Sequence, residues 1–99
     1  MKTKSLKTYL DARLNQDELN HIEEAAQLEY QGFLALQQDI SQALMEYMQL
    51  QNLGFNDVVR QLGKSPTQVS LILQGKANLT LSSVAQIYAL MHKVPHLVV

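Results

Sequence analysis

The 99-residue chain has no cysteine, which excludes a disulfide framework and any thiolate metal site. Proline is scarce, with Pro66 and Pro95 the only two, and neither falls between residues 15 and 52. No apolar run approaches the roughly 20 residues that a membrane span requires, and the basic N-terminus lacks the apolar stretch of a signal peptide. These absences predict a cytoplasmic protein with no membrane partner. Lysine and arginine are missing from residues 14–52, where Asp17, Glu18, Glu23, Glu24, Glu29, Asp39 and Glu46 stand unbalanced in sequence. The net charge of −1 therefore hides a segregation. Residues 1–13 carry Lys2, Lys4, Lys7 and Arg13 against Asp11, and residues 53–99 carry Arg60, Lys64, Lys76 and Lys93 against Asp57. Basic ends around an acidic middle point to two partners of different charge, although a solvated acidic face would leave the same middle.

Catalytic chemistry is equally thin. His21, His92 and His96 show no metal-ligand spacing, so neither a metal nor any other cofactor is expected. Glu23 and Glu24 occupy adjacent helical positions, which suits surface charge better than an acid/base pair. No serine sits in a nucleophile elbow and no glycine-rich loop could cradle a phosphate. The expectation is a protein that is not an enzyme. A hydrophobic share of 46% is ordinary for a folded chain and argues against disorder throughout. The methionines at 45, 48 and 91 fall among helical apolar positions and are expected to fill core.

Residues 1–14 are polar and basic, with Leu6, Tyr9, Leu10 and Leu14 as their sizeable apolar groups, and such an arm would be mobile unless something docks it. Asn15 with Glu18 three residues on is an Asx version of the capping box. From there Leu19, Ile22, Ala26, Phe33, Leu36, Ile40, Ala43, Tyr47 and Leu50 alternate at spacings of three and four, with Glu29 at the one position calling for an apolar group. The pattern predicts a long helix with a coiled-coil-like stripe. The single glycine, Gly32, offers an alternative break into helices over about 16–31 and 35–51, but a mid-helix glycine costs only about 1 kcal/mol relative to alanine. Asn52-Leu53-Gly54 is expected to close the helix by glycine capping.

Residues 53–79 then predict two short helices across a tight turn. The first runs from about 56 to 62, with Asn56 as N-cap, Asp57 near the positive end of the dipole, and Val58, Val59 and Leu62 on one face. Gly63 stops it through a left-handed cap, and Ser65 followed by Pro66 restarts the next. Val69, Ile72 and Leu73 supply the buried face of that helix and Gly75 ends it. Thr67, Gln68, Ser70, Leu71 and Gln74 are left facing outward. This helix-turn-helix layout is the shape that places one helix in the DNA major groove. Thr80 or Ser82 is expected to cap a final helix through about His92, with Val84, Ile87, Tyr88, Leu90 and Met91 as its apolar content. Pro95 halts it, and the tail His96-Leu97-Val98-Val99 either pairs with something or frays.

From about Gln38 to Met91 the chain resembles the Cro/repressor-type (XRE) helix-turn-helix family. The resemblance rests on Gly54-Phe55-Asn56-Asp57-Val58-Val59-Arg60-Gln61-Leu62-Gly63 and on Ser65-Pro66-Thr67-Gln68-Val69-Ser70-Leu71-Ile72-Leu73-Gln74-Gly75-Lys76. It implies an all-α bundle whose third helix reads the major groove, usually as a homodimer, here with a long N-terminal helical extension. With the extension and the Lys-Val-Pro-His-Leu-Val-Val end, the chain is similar to small HigA-type antitoxins, which repress their own operon and bind a basic ribonuclease toxin of the RelE-like fold.

Carried over, the resemblance implies base-facing roles for Ser65, Thr67, Gln68, Ser70 and Leu71, and phosphate contacts from Asn56, Arg60, Lys64, Gln74, Lys76 and Asn78. Val59 stands where the family usually has a smaller alanine. Leu71 replaces a polar reader, so it can touch a thymine methyl but cannot hydrogen-bond a base. The expected organisation is a basic arm and acidic helical extension over 1–37, with Leu19, Ile22, Ala26 and Phe33 facing a protein partner, and a DNA-binding domain over 38–99. The expected partners are an inverted-repeat DNA operator, a second copy of the chain and a basic toxin. Alternatives are a phage or prophage repressor without a toxin, and a protein-interaction module without DNA affinity.

Overall fold

The computed structural model describes residues 16–96. The Asn15 cap, the basic arm and tail residues 97–99 lie outside the described residues. Within them the chain is all helical: α1 (Gln16–Gln51), α2 (Phe55–Leu62), α3 (Pro66–Leu73) and α4 (Leu81–Leu90). The chain divides into two compact units, Met1–Phe33 and Leu34–Val99. In the first, residues 20–33 of α1 are all exposed. Gly32 does not interrupt α1, as expected where a glycine's cost is small beside the hydrogen bonds of a long helix.

The second unit holds the core. Each of its four helices contributes two buried apolar side chains: Ile40 and Leu44, Val58 and Leu62, Val69 and Ile72, then Ile87 with Met91 at the end of α4. Ala43, Tyr47, Met48, Val59, Leu73, Ala77, Leu79, Val84, Tyr88 and Leu90 pack around them. Burying each large aliphatic group stabilises the fold by about 1.5–3 kcal/mol, and eight together let helices as short as eight residues persist, which they could not alone. Within this unit two members of the expected stripe do not join it. Leu36 is half exposed and Leu50 is 82% exposed, because α1 turns only one side toward α2–α4. Met45, expected in the core, is also 44% exposed.

Helix ends explain how the chain makes its corners. α1 closes through Asn52, whose φ of 56° is left-handed, with Leu53 N–H donating to Met48 O at 2.8 Å. Asparagine tolerates this region, so Asn52 and not Gly54 ends the helix. Gly54 is extended instead (φ −90°) and is the N-cap of α2. Its N–H donates to Asp57 Oδ2 at 2.9 Å, so the expected cap at Asn56 is corrected by two residues and Asn56 lies inside the first turn. Gly63 takes φ 66° and its N–H donates to Val59 O at 3.0 Å, the expected left-handed stop.

Ser65 caps α3 and Pro66 occupies its first turn. At the other end Gly75 is left-handed (φ 70°), with Lys76 N–H donating to Leu71 O at 2.9 Å and Gly75 N–H to Ile72 O at 3.1 Å, a Schellman closure. Thr80 rather than Ser82 caps α4, accepting from Ser83 N–H. That helix ends at Leu90, two residues short of the expected limit, because His92 is left-handed (φ 59°).

Candidate nucleic-acid interface

α2 and α3 are joined by only Gly63, Lys64 and Ser65, and each is held by its own buried pair. Val69 and Ile72 point inward, which leaves the opposite side of α3 to solvent: Ser65, Thr67, Gln68, Leu71 and Gln74 are exposed and Ser70 is half-buried. The C-terminal end of α3 is braced by α1. Ser41, the one buried polar residue among the described residues, donates to Leu73 O at 2.5 Å, and Gln37 Nε2 donates to Ala77 O at 2.8 Å. Both bonds satisfy carbonyls at or beyond the end of α3, where no intrahelical donor reaches, and they fix the loop that carries Lys76 and Asn78. Sequence reasoning passed over Ser41 and Gln37, whose partners lie 32 and 40 residues away.

Three of the expected base-facing side chains are already engaged. Gln68 Oε1 accepts from Ser65 N–H at 3.1 Å while Ser65 Oγ accepts from Gln68 N–H at 3.2 Å, a reciprocal capping box. The Gln68 amide is thereby oriented, with Oε1 committed to the helix. Ser70 Oγ accepts from Gln74 Nε2 at 2.8 Å, so these two side chains present themselves as a pair. Thr67 and Leu71 have no such engagement among the bonds described.

The expected phosphate-contacting residues separate into two sets. Lys64, Lys76 and Asn78 line one open groove of about 360 Å³ together with Gln68, Leu71 and Thr80. Ser83, which sequence reasoning did not single out, completes the wall: Lys64 Nζ donates to its Oγ at 3.4 Å and Thr80 Oγ1 donates to the same oxygen at 3.1 Å. The Ser-rich start of α4 was legible as a cap, but its approach to Lys64 depends on how α4 packs. Arg60 stands apart. Its guanidinium pairs with Asp57 one turn earlier on α2. The Gly54 N–H and, beyond it, the Arg60 charge hold the Asp57 carboxyl below its usual range, while burial opposes them. Arg60 thus offers a half-neutralised charge, and Asn56 is exposed beside it.

The partner-facing residues of the extension lie on α1 within the first unit. Ile22, Ala26 and Phe33 are exposed and Leu19 is half-buried. Among the described residues no cluster of His, Asp and Glu could hold a metal ion, and no helix is long and apolar enough to cross a membrane. Comparison with known proteins finds no family model, no curated relative and no solved structure that matches this chain.

Proposed function

We propose that the chain is a sequence-specific DNA-binding repressor of the Cro/repressor helix-turn-helix type, working as a homodimer. The observation that carries the reading is α3 itself: two short helices across a left-handed glycine, the second exposing Thr67, Gln68 and Leu71 beside a groove with Lys64 and Lys76. Amide, hydroxyl and methyl groups on one helical face suit base edges, and flanking ammonium groups suit phosphates. In this reading Thr67, the free Nε2 of Gln68 and Leu71 meet bases, Lys64, Lys76 and Asn78 meet the backbone, and Arg60 contributes less because Asp57 already pairs with it. Two-fold symmetry then places half-sites about one helical turn, roughly 34 Å, apart.

The acidic, apolar extension favours a second role within this proposal, that of an antitoxin binding a basic ribonuclease toxin. The seven carboxylates of residues 14–52, with no lysine or arginine among them, would repel phosphate, and a cationic protein partner accounts for them. Selection from a random duplex pool tests the DNA reading: an inverted repeat should emerge, and enrichment of nothing, or of sequence-unrelated duplexes, refutes it. Co-expression with the product of the neighbouring gene tests the second role. The full chain should rescue growth and a chain lacking residues 1–37 should not; rescue by the truncated chain leaves a plain repressor.

A further inference from the structure

A glutamine amide can read a base in two ways. With Oε1 and Nε2 both facing the base, it accepts from the N6 amino group of adenine and donates to N7. With Nε2 alone it is a donor only. At Gln68 the start of α3 makes the choice. Its Oε1 accepts from the Ser65 N–H at 3.1 Å, and a backbone N–H can only donate, so the amide has one permitted orientation. The Gln68 N–H donates in turn to Ser65 Oγ at 3.2 Å, which closes the reciprocal cap. Gln68 Nε2 has no partner among the described residues. The side chain is exposed and lines the groove that also holds Lys64, Leu71 and Lys76.

Major-groove edges differ in what such a donor finds. Guanine offers O6 and N7 and thymine offers O4, whereas adenine and cytosine present the amino groups N6 and N4. Adenine N7 can accept one bond, but its amino group then needs Oε1 turned to the base, away from the Ser65 N–H. Granted the DNA-binding reading, on which this rests, we infer that Gln68 is a specificity-determining residue that selects a keto base at one position per half-site. Its amide selects by donating, because the cap already occupies its acceptor. Guanine ranks ahead of thymine, since it presents two acceptors to the same amide.

Selection from a random duplex pool, run in parallel with the full-length parent, Gln68→Ala and Gln68→Glu chains, is the test. Salt is held at about 50 mM, where phosphate contacts keep weaker variants on DNA. The parent should return guanine or thymine at one position per half-site, over adenine and cytosine by roughly fivefold or more. Gln68→Ala should lose the preference at that position alone. Gln68→Glu keeps one oxygen for the Ser65 N–H, as Glu does in a capping box, and its other oxygen can only accept. The preference should therefore invert to cytosine or adenine, whose amino groups donate. A residue that merely capped α3 would weaken every duplex alike and invert nothing. Adenine or cytosine at the Gln68-dependent position of the parent overturns the inference while DNA binding stands. So does a Gln68→Glu chain without the inversion, or the absence of any position that depends on Gln68. Enrichment of nothing by the parent removes the DNA-binding reading itself, and the keto-base selection with it.

Discussion

Gly63 and Gly32 offer the same substitution in two backbone conformations, and the comparison isolates one physical cause. A Cβ added at either glycine meets no atom within 4 Å, so neither alanine variant clashes. They differ in φ. Gly63 sits at 66° between α2 and α3, whereas Gly32 lies inside α1. Alanine in the left-handed region costs about 1–2 kcal/mol, while glycine to alanine inside a helix returns about 1 kcal/mol. Gly63→Ala should therefore lower the urea midpoint of the bundle with an unchanged m-value, and its Tm by about 4–8 °C per kcal/mol. Gly63→Asn should recover part of the loss, since asparagine enters this region more readily. Gly32→Ala should leave the bundle midpoint where it is and raise the helical circular dichroism signal. If Gly63→Ala is neutral, or Gly32→Ala is as damaging, the left-handed turn is not what sets the α2–α3 corner.

Other outcomes follow from single contacts. Gln68→Glu keeps a carboxylate oxygen for the Ser65 N–H, so thermal stability should hold; operator affinity should fall by about 1–3 kcal/mol as the amide donor is lost, read by fluorescence anisotropy. Lys76→Ala should weaken binding to all duplexes and reduce the log–log salt slope by about one unit. Ser41→Ala leaves the Leu73 carbonyl without its donor and should cost about 1–3 kcal/mol in urea unfolding. The lowered Asp57 pKa makes its contribution to stability complete above the usual aspartate pKa and lost as pH falls through the lower, folded value. The stability gap between the parent and Asp57→Asn should thus stay flat from pH 7 to 5 and close only in more acid solution, followed by thermal melts.

What the sequence revealed were the local signals. Gly63, the Ser65-Pro66 pair, Thr80 and the long proline-free stretch each fix geometry within a turn of themselves, so the helices could be read in advance. The Asn52 closure was misassigned to Gly54 because both residues accept a turn there and only the packed chain chooses; Gly54 instead serves Asp57. Gln68 could have been seen as a cap from its three-residue spacing to Ser65, yet the same side chain also suits a base. The groove of Lys64, Lys76 and Ser83 was half legible: the lysines stood out as charges, but Ser83 joins them only through the packing of α4. Ser41 and Gln37 gave no local sign, because their partners are carbonyls far along the chain.

Titrating the isotope-labelled full chain with the selected duplex, and mapping amide shifts residue by residue, tests the central claim most directly. The largest changes should fall within residues 64–80, with Thr67, Gln68 and Leu71 responding to base substitutions and Lys64, Lys76 and Asn78 to any duplex. Changes concentrated in residues 16–33, or no saturable change at all, would contradict it.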